Sequence, residues 1–344
     1  MKIIIGCQTE GAGHCSQAIA VKEFLDRRDA DYEIPVAFAA KKDKGIFPDF
    51  ARVFKVDKYE GFDFVFEQGS LSVTKTFFKN TFKLHKIVKS FIHICKIIKK
   101  EKPDVIFNFY DPLVGLSSLF FKDVKYIHFG HQYAMENDPD YPDVFGFLLQ
   151  KLTLKILNKI SAPKGNIVAL SFSPAEDKGR VFFCPPILRD DIYKKEPSND
   201  KSILVYLMND FQLNYLIKEA KKHPKLQFNC FIKRPENHKV DLKNVKLYPV
   251  GKDFKKFLIT CDTVICTGGF ETSSEAMYLG KRLLMVPVYN HYEQHANCLD
   301  AQFRCGASYH SHIKLNKTSL PEADKNWFDK ADEVLVKAIL HEDK

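Results

Sequence analysis

A chain of 344 residues is longer than one domain usually needs, and 45% hydrophobic with 28% charged residues excludes a disordered chain and supports packed cores. The formal charge of +9 favours anionic partners such as nucleotide sugars, phospholipids or nucleic acids, without choosing among them. Nine scattered cysteines, odd in number and without CxxC spacing, suggest neither a disulfide framework nor a zinc site, and fit a reducing, cytoplasmic setting.

The N-terminal residues 1–7 are too short an apolar run for a secretory signal and read as a first buried strand. Strand-like runs then alternate with helical patterns. Strands are predicted at 2–6, 34–39, near Val53, and at 104–109, 124–129, 166–172 and 180–184, with helical spacing over 18–25. Pro185 and Pro186 stop regular structure, and the polar stretch 194–201 reads as a connection. The pattern restarts with strands at 202–207, 227–232, 245–248, 263–266 and 283–286, and helices at 254–261, 272–279 and 293–303. Residues 327–340 read as a closing helix. The expected fold class is α/β, with two Rossmann-like domains facing across a cleft and the ligand site at the carboxyl ends of the strands. No stretch approaches the roughly 18 uninterrupted apolar residues of a spanning helix, so any membrane association is expected to be peripheral, at the inner face.

Four segments carry candidate chemistry. The first is Gln8-Thr9-Glu10-Gly11-Ala12-Gly13-His14, where Gly11 and Gly13 permit a sharp turn between the first strand and helix. It lacks the third glycine of a dinucleotide fingerprint and the Gly-Lys-Ser/Thr of a P-loop. The second spans residues 75–102, with nine lysines from Lys75 to Lys102 interleaved with Phe and Ile. It is a basic amphipathic helix or helix pair, either core-facing with a solvated Lys-rich back or a face for anionic lipid. No nucleic-acid motif accompanies this charge. The third comprises Asp111 and then His128, His131 and Gln132, each just after a strand and so placed to face the cleft. Asp138-Pro139-Asp140 imitates a metal-binding DxD, but its prolines make it a loop, and no metal site is expected.

The most informative segment follows the strand at 263–266: Cys266-Thr267-Gly268-Gly269-Phe270-Glu271-Thr272-Ser273-Ser274-Glu275. A glycine pair ahead of a helix start offers unpaired N–H groups to a diphosphate. Glu275, one turn in, is placed to accept hydrogen bonds from ribose hydroxyls. A tight turn with a capped helix would fit the spacing equally well.

Together with Gly280-Lys281-Arg282-Leu283 and Tyr292-Glu293-Gln294-His295-Ala296-Asn297, this segment resembles the donor-binding region of GT-B glycosyltransferases. The likeness is to a bacterial and archaeal family related to the peptidoglycan N-acetylglucosaminyltransferase and UDP-glucuronosyltransferase-like enzymes. The resemblance implies that Gly268, Gly269, Phe270 and Thr272 hold the donor diphosphate and Glu275 the ribose, with Glu271 also among the donor-binding residues. It implies sugar recognition by Glu293 and Gln294, a loop fixed by Asn297, and a base packed near Phe254. The Gly13-His14 turn matches the relatives' Gly-His, which makes His14 the expected general base or acceptor positioner, with Glu10 as an alternative and Asp111 and His131 in supporting catalytic roles. Residues 1–188 would bind the acceptor and 189–324 the nucleotide sugar, with 325–344 closing the fold. The implied activity is sugar transfer from a nucleotide-diphosphate donor, UDP favoured, to a lipid-linked or glycan acceptor, inverting and without metal or cofactor. A nucleotide-sugar epimerase and a non-catalytic nucleotide-sugar or lipid-binding protein are the competing expectations.

Overall fold

The computed structural model describes residues 1–9, 11–40, 46–63, 65–67, 70–208, 210–251 and 253–341. The first half contains β1 (Lys2–Cys7), β2 (Glu33–Ala39), β3 (Val56–Lys58), β4 (Phe66–Glu67), β5 (Ser70–Leu71), β6 (Val105–Phe109), β7 (Lys125–Gly130), β8 (Asn166–Leu170) and β9 (Val181–Cys184). Seven of these form one parallel sheet in the order β3-β2-β1-β6-β7-β8-β9, while β4 and β5 make a separate antiparallel hairpin. Ile3, Ile4 and Ile5 are all buried, as a central parallel strand covered by helices on both faces requires.

The second half contains β10 (Ile203–Tyr206), β11 (Phe228–Ile232), β12 (Val245–Pro249), β13 (Thr263–Cys266), β14 (Arg282–Met285) and β15 (Ser308–Tyr309). These pair in parallel in the order β12-β11-β10-β13-β14-β15. Each sheet therefore has a switch point, between β1 and β6 in the first and between β10 and β13 in the second. The turns after β1, β6 and β13 open at these points, where doubly wound sheets bind ligands.

Two expectations are corrected. Val53 ends the short helix Pro48–Val53, which Pro48 starts, and the strand is β3, three residues on. The closing helix is two helices, Lys325–Phe328 and Ala331–Leu340, which turn back onto the first sheet. There Trp327 Nε1 donates to the Ser171 carbonyl at 3.1 Å and Asn166 Nδ2 to that of Ala338 at 2.9 Å. Residues 75–102 form parts of two helices, Val73–Phe82 and Leu84–Glu101. Ile87, Ile94 and Ile98 face the core, but Phe77, Phe78, Phe82, Leu84, Val88 and Ile92 are exposed, so the outer surface is not simply a Lys-rich back.

Candidate functional site

The glycine pair behaves as two different residues. Gly268 has φ +82°, and a Cβ there would sit 2.7 Å from Cys298 Sγ and 2.9 Å from the Gln294 carbonyl oxygen, so this position excludes any side chain. A Cβ at Gly269 would meet nothing within 4 Å. Gly269 is the N-cap of helix Phe270–Tyr278, and no side chain caps it. The first-turn N–H groups, Thr272 among them, are thus presented at an open corner with the positive end of the helix dipole behind them.

This helix start meets the turn after β1. A Cβ at Gly13 would come within 3.2 Å of Glu271 Cγ, whereas at Gly11 its nearest neighbour would be 4.0 Å away. Gly13 is therefore the glycine that permits the close approach of the two halves. Helix Gly13–Arg27 carries His14 and Gln17 into the junction. His14 Nδ1 lies 3.1 Å from Gln17 Oε1, and Gln17 Nε2 donates to Glu271 Oε1 at 2.6 Å. The His14 ring stacks on Tyr110 at 5.5 Å between centroids. Burial lowers the His14 pKa, with the Gln17 bond opposing it. Burial also pushes the Glu271 carboxyl up to about 8 against the Gln17 bond, with Glu275 adding to the rise and Lys255 opposing it. Glu10 lies outside the described residues.

Glu275 is buried on the next turn, 3.6 Å from Lys255 Nζ. Lys255 also pairs with Asp191 at 2.6 Å, Asp191 with Arg189 at 3.1 Å, and Arg189 with Asp49 at 2.9 Å. Burial raises the Glu275 pKa, and Lys255 works against that rise. An ion-pair chain thus runs from the expected ribose site through the segment joining the two sheets to the first half. Sequence reading missed it because its members lie far apart in the chain. Phe254 starts the neighbouring helix Phe254–Thr260 and packs in an aromatic group with Tyr206 and Phe231 at 5.5 and 5.2 Å.

Other candidates spend their polar atoms on the protein itself. Asp111 caps helix Pro112–Ser117, accepting from Leu113 N at 2.9 Å and Val114 N at 3.0 Å, and also from the Tyr59 hydroxyl. Its carboxylate is a structural cap, and no histidine is among these contacts. His131 places Nδ1 2.7 Å from the Leu170 carbonyl. Its Nε2 lies 3.1 Å from Tyr141 Oη and 2.9 Å from Asn297 Oδ1, and the ring stacks on Phe270 at 3.9 Å. Burial takes its pKa down to about 4. His131 therefore binds one half to the other rather than presenting a free nitrogen. Phe270 is turned away from the helix start into this contact, where it also meets Phe172. Asn297 in turn donates to the Gly268 carbonyl at 3.0 Å, fixing the glycine turn. His128 is likewise internal, 2.6 Å from the Lys164 carbonyl.

Of the expected sugar-reading pair, Glu293 faces the first half, accepting from Gln132 Nε2 at 3.1 Å, with burial raising its pKa to about 6. Gln294 is turned inward: it accepts from Val288 N at 2.8 Å and approaches Met208 Sδ at 3.1 Å. Asp138 of the DxD-like loop is paired with Arg304, which also holds Asp300 and Ser173. Lys281, inside the matched segment, donates to the carbonyls of Ser198, Ile259 and Cys261 at 2.7, 2.7 and 2.8 Å and so serves the fold.

Two parallel switch-point sheets, joined with a glycine-led helix start against a Gly-His turn, define a GT-B glycosyltransferase. The sequence model of Glycosyl transferase family 1 matches residues 1–321, and the chain belongs to that family. It is similar to the UDP-N-acetylglucosamine--N-acetylmuramyl-(pentapeptide) pyrophosphoryl-undecaprenol N-acetylglucosamine transferase of Finegoldia magna, with 23% identity over 330 residues, covering 87% of this chain and 82% of that one. Among solved structures it resembles the glycotransferase of kitacinnamycin, with TM-score 0.61, 12% identity, and 98% and 93% of the two chains covered. The UGT89C1 of Arabidopsis thaliana complexed with quercetin matches with the same TM-score of 0.61 and 12% identity, covering 99% of this chain and 90% of its own.

Proposed function

We infer that this glycosyltransferase moves a sugar from a UDP-sugar to an acceptor hydroxyl by a single inverting displacement that needs no metal ion. The observation that carries this reading is the uncapped helix start at Gly269, with Glu275 one turn behind it and the His14 turn opposite. Residues 189–324 bind the donor: the amides from Gly269 to Thr272 take the diphosphate and Glu275 the ribose. Phe254 packs on the base, and Glu293 reads the sugar. Gln294 holds the loop beside it through its bond to Val288 N. Residues 1–188 bind the acceptor, and 325–344 close the first sheet. His14 takes the acceptor proton as the new C–O bond forms at the anomeric carbon, and the bond to the phosphate oxygen breaks. UDP leaves onto the amides, whose fixed dipoles supply the stabilisation a metal would otherwise provide. Glu271, held near pKa 8 by burial, is largely uncharged at pH 7 and does not repel the diphosphate. A UDP donor is supported by the name of the Finegoldia magna relative.

Titration calorimetry with a panel of UDP-, GDP- and dTDP-sugars tests the donor assignment. Glu275→Ala is expected to weaken the best donor about 10–100-fold, the value of one or two hydrogen bonds to a charged group. If no member of the panel binds the wild-type protein, the donor assignment fails.

The acceptor is lipid-linked or a glycan, and the enzyme works at an anionic membrane surface. Supporting this, Phe77, Phe78 and Phe82 are 66%, 61% and 78% exposed beside the lysines, and the neighbouring Phe145 and Leu148 are 97% and 82% exposed. Exposed apolar area on this scale, rimmed by positive charge, matches an interfacial helix. No helix among the described residues is long and apolar enough to cross a membrane. Co-sedimentation should show binding to phosphatidylglycerol vesicles, little to phosphatidylcholine, and at least a tenfold loss when Phe77, Phe78 and Phe82 become Ser. Equal binding by that variant would remove this role from the two helices.

A further inference from the structure

Gln17 lies 2% exposed at the junction of the two halves, three residues after His14 on the same helix face. Its amide has one donating and one accepting end, and both are used. Nε2 donates to Glu271 Oε1 at 2.6 Å, and Oε1 lies 3.1 Å from His14 Nδ1. Glu271 belongs to helix Phe270–Tyr278 of the second half, 254 residues away in sequence.

We propose that Gln17 is a positioning residue which, by bridging His14 to Glu271 across the two halves, holds the imidazole as its Nδ1–H tautomer and leaves the Nε2 lone pair for the acceptor hydroxyl. The last step rests on the reading of His14 as the base. In the structure the Gln17 amide turns its NH2 to the carboxyl group, and Glu271 Oε1 accepts from Nε2 at 2.6 Å. The opposite end is then a carbonyl oxygen, which only accepts, so the nitrogen of His14 facing it must carry hydrogen. A neutral imidazole with hydrogen on Nδ1 keeps its lone pair on Nε2.

Geometry fixes the rest. Tyr110 stacks on the ring and limits its rotation. Gly13, where a Cβ would come within 3.2 Å of Glu271 Cγ, lets the second helix come close enough for the bond. Asp111, the carboxylate nearest by sequence logic, is committed to its helix cap and to Tyr59. Two members of the relay sit on one half and the third on the other, so the base is oriented only when the halves meet. In this arrangement the donor-side helix controls the state of the acceptor-side catalyst.

The tautomer is directly observable in the intact protein labelled with 15N-histidine. Two-bond 1H–15N correlation spectra, with His14 assigned by the peak lost in His14→Gln, should show a protonated Nδ1 and an unprotonated Nε2. Gln17→Met keeps the bulk but removes both bonds; it should shift His14 toward the Nε2–H tautomer and lower its pKa, because the acceptor that favours the protonated ring is gone. Glu271→Leu, in the other half, should move the same signals in the same direction, while Glu271→Gln, which retains an accepting oxygen, should restore the wild-type pattern. This Leu and Gln pair separates loss of the bond from a folding defect. A wild-type Nε2–H tautomer, or a His14 spectrum unaltered by Glu271→Leu, overturns the relay. A correct tautomer in an enzyme whose His14→Ala variant still turns over at full rate would support the bridge and overturn the base reading alone.

Discussion

His14→Ala is expected to lower kcat by about 10²–10⁴-fold, or roughly 3–5 kcal/mol, while donor affinity stays within about twofold. The two parameters should separate because His14 belongs to the turn after β1 and the donor amides to the turn after β13. Removing a base leaves the acceptor hydroxyl as a poor nucleophile but leaves the diphosphate contacts in place. The pH profile supplies the sign. Only the neutral ring accepts a proton, and burial holds its pKa below the usual 6.5, with Gln17 opposing and Tyr110 and Glu271 as neighbours. Wild-type rate should therefore rise with pH through a point below 6.5 and be flat at neutrality. His14→Ala should lose that acidic limb along with the rate. UDP release, measured from pH 5 to 8 with the donor selected by calorimetry and a panel of lipid-linked and glycan acceptors, gives both numbers. An unchanged acidic limb in the variant would assign the limb to another group.

The parallel sheets were legible because buried strands are short continuous apolar runs: residues 2–6 and 263–266 announce β1 and β13 almost to the residue. Val53 misled because the helix Pro48–Val53 is too short to show a period, and β15 is two residues long. At the site, sequence located the glycine turn and Glu275, whose chemistry is tied to local order. It could not show that Gln294 turns inward to Val288, that His131 spends both nitrogens on Leu170, Tyr141 and Asn297, or that Asp111 closes a helix. Those outcomes depend on which half of the molecule each side chain meets. Gln17 left one faint signal, a polar residue one turn after His14 on a helix face that is otherwise buried and apolar. The Lys255, Asp191 and Arg189 chain left none.

Gly268→Ala should destabilise the fold by about 2–5 kcal/mol and reduce donor binding beyond detection. Left-handed backbone at φ +82° costs a non-glycine residue about 1–2 kcal/mol. The added methyl would also lie 2.7 Å from Cys298 Sγ and 2.9 Å from the Gln294 carbonyl, and overpacking of this kind costs about 1–3 kcal/mol more. Relief cannot come from a flexible side-chain tip alone, because the Gln294 contact is backbone in helix Tyr292–Cys305. The turn itself must move, and its carbonyl is the one Asn297 holds. Displacing it turns the N–H groups of the helix start away from the diphosphate. Gly269→Ala is the control, since a methyl there meets nothing and the backbone is extended, so its stability should stay within about 0.5 kcal/mol of wild type. Thermal melts of the two variants, with and without donor, compare them directly. If Gly268→Ala melts with wild type and is still stabilised by donor, the anion site does not depend on this turn, and the assignment of the diphosphate to the Gly269 helix start fails.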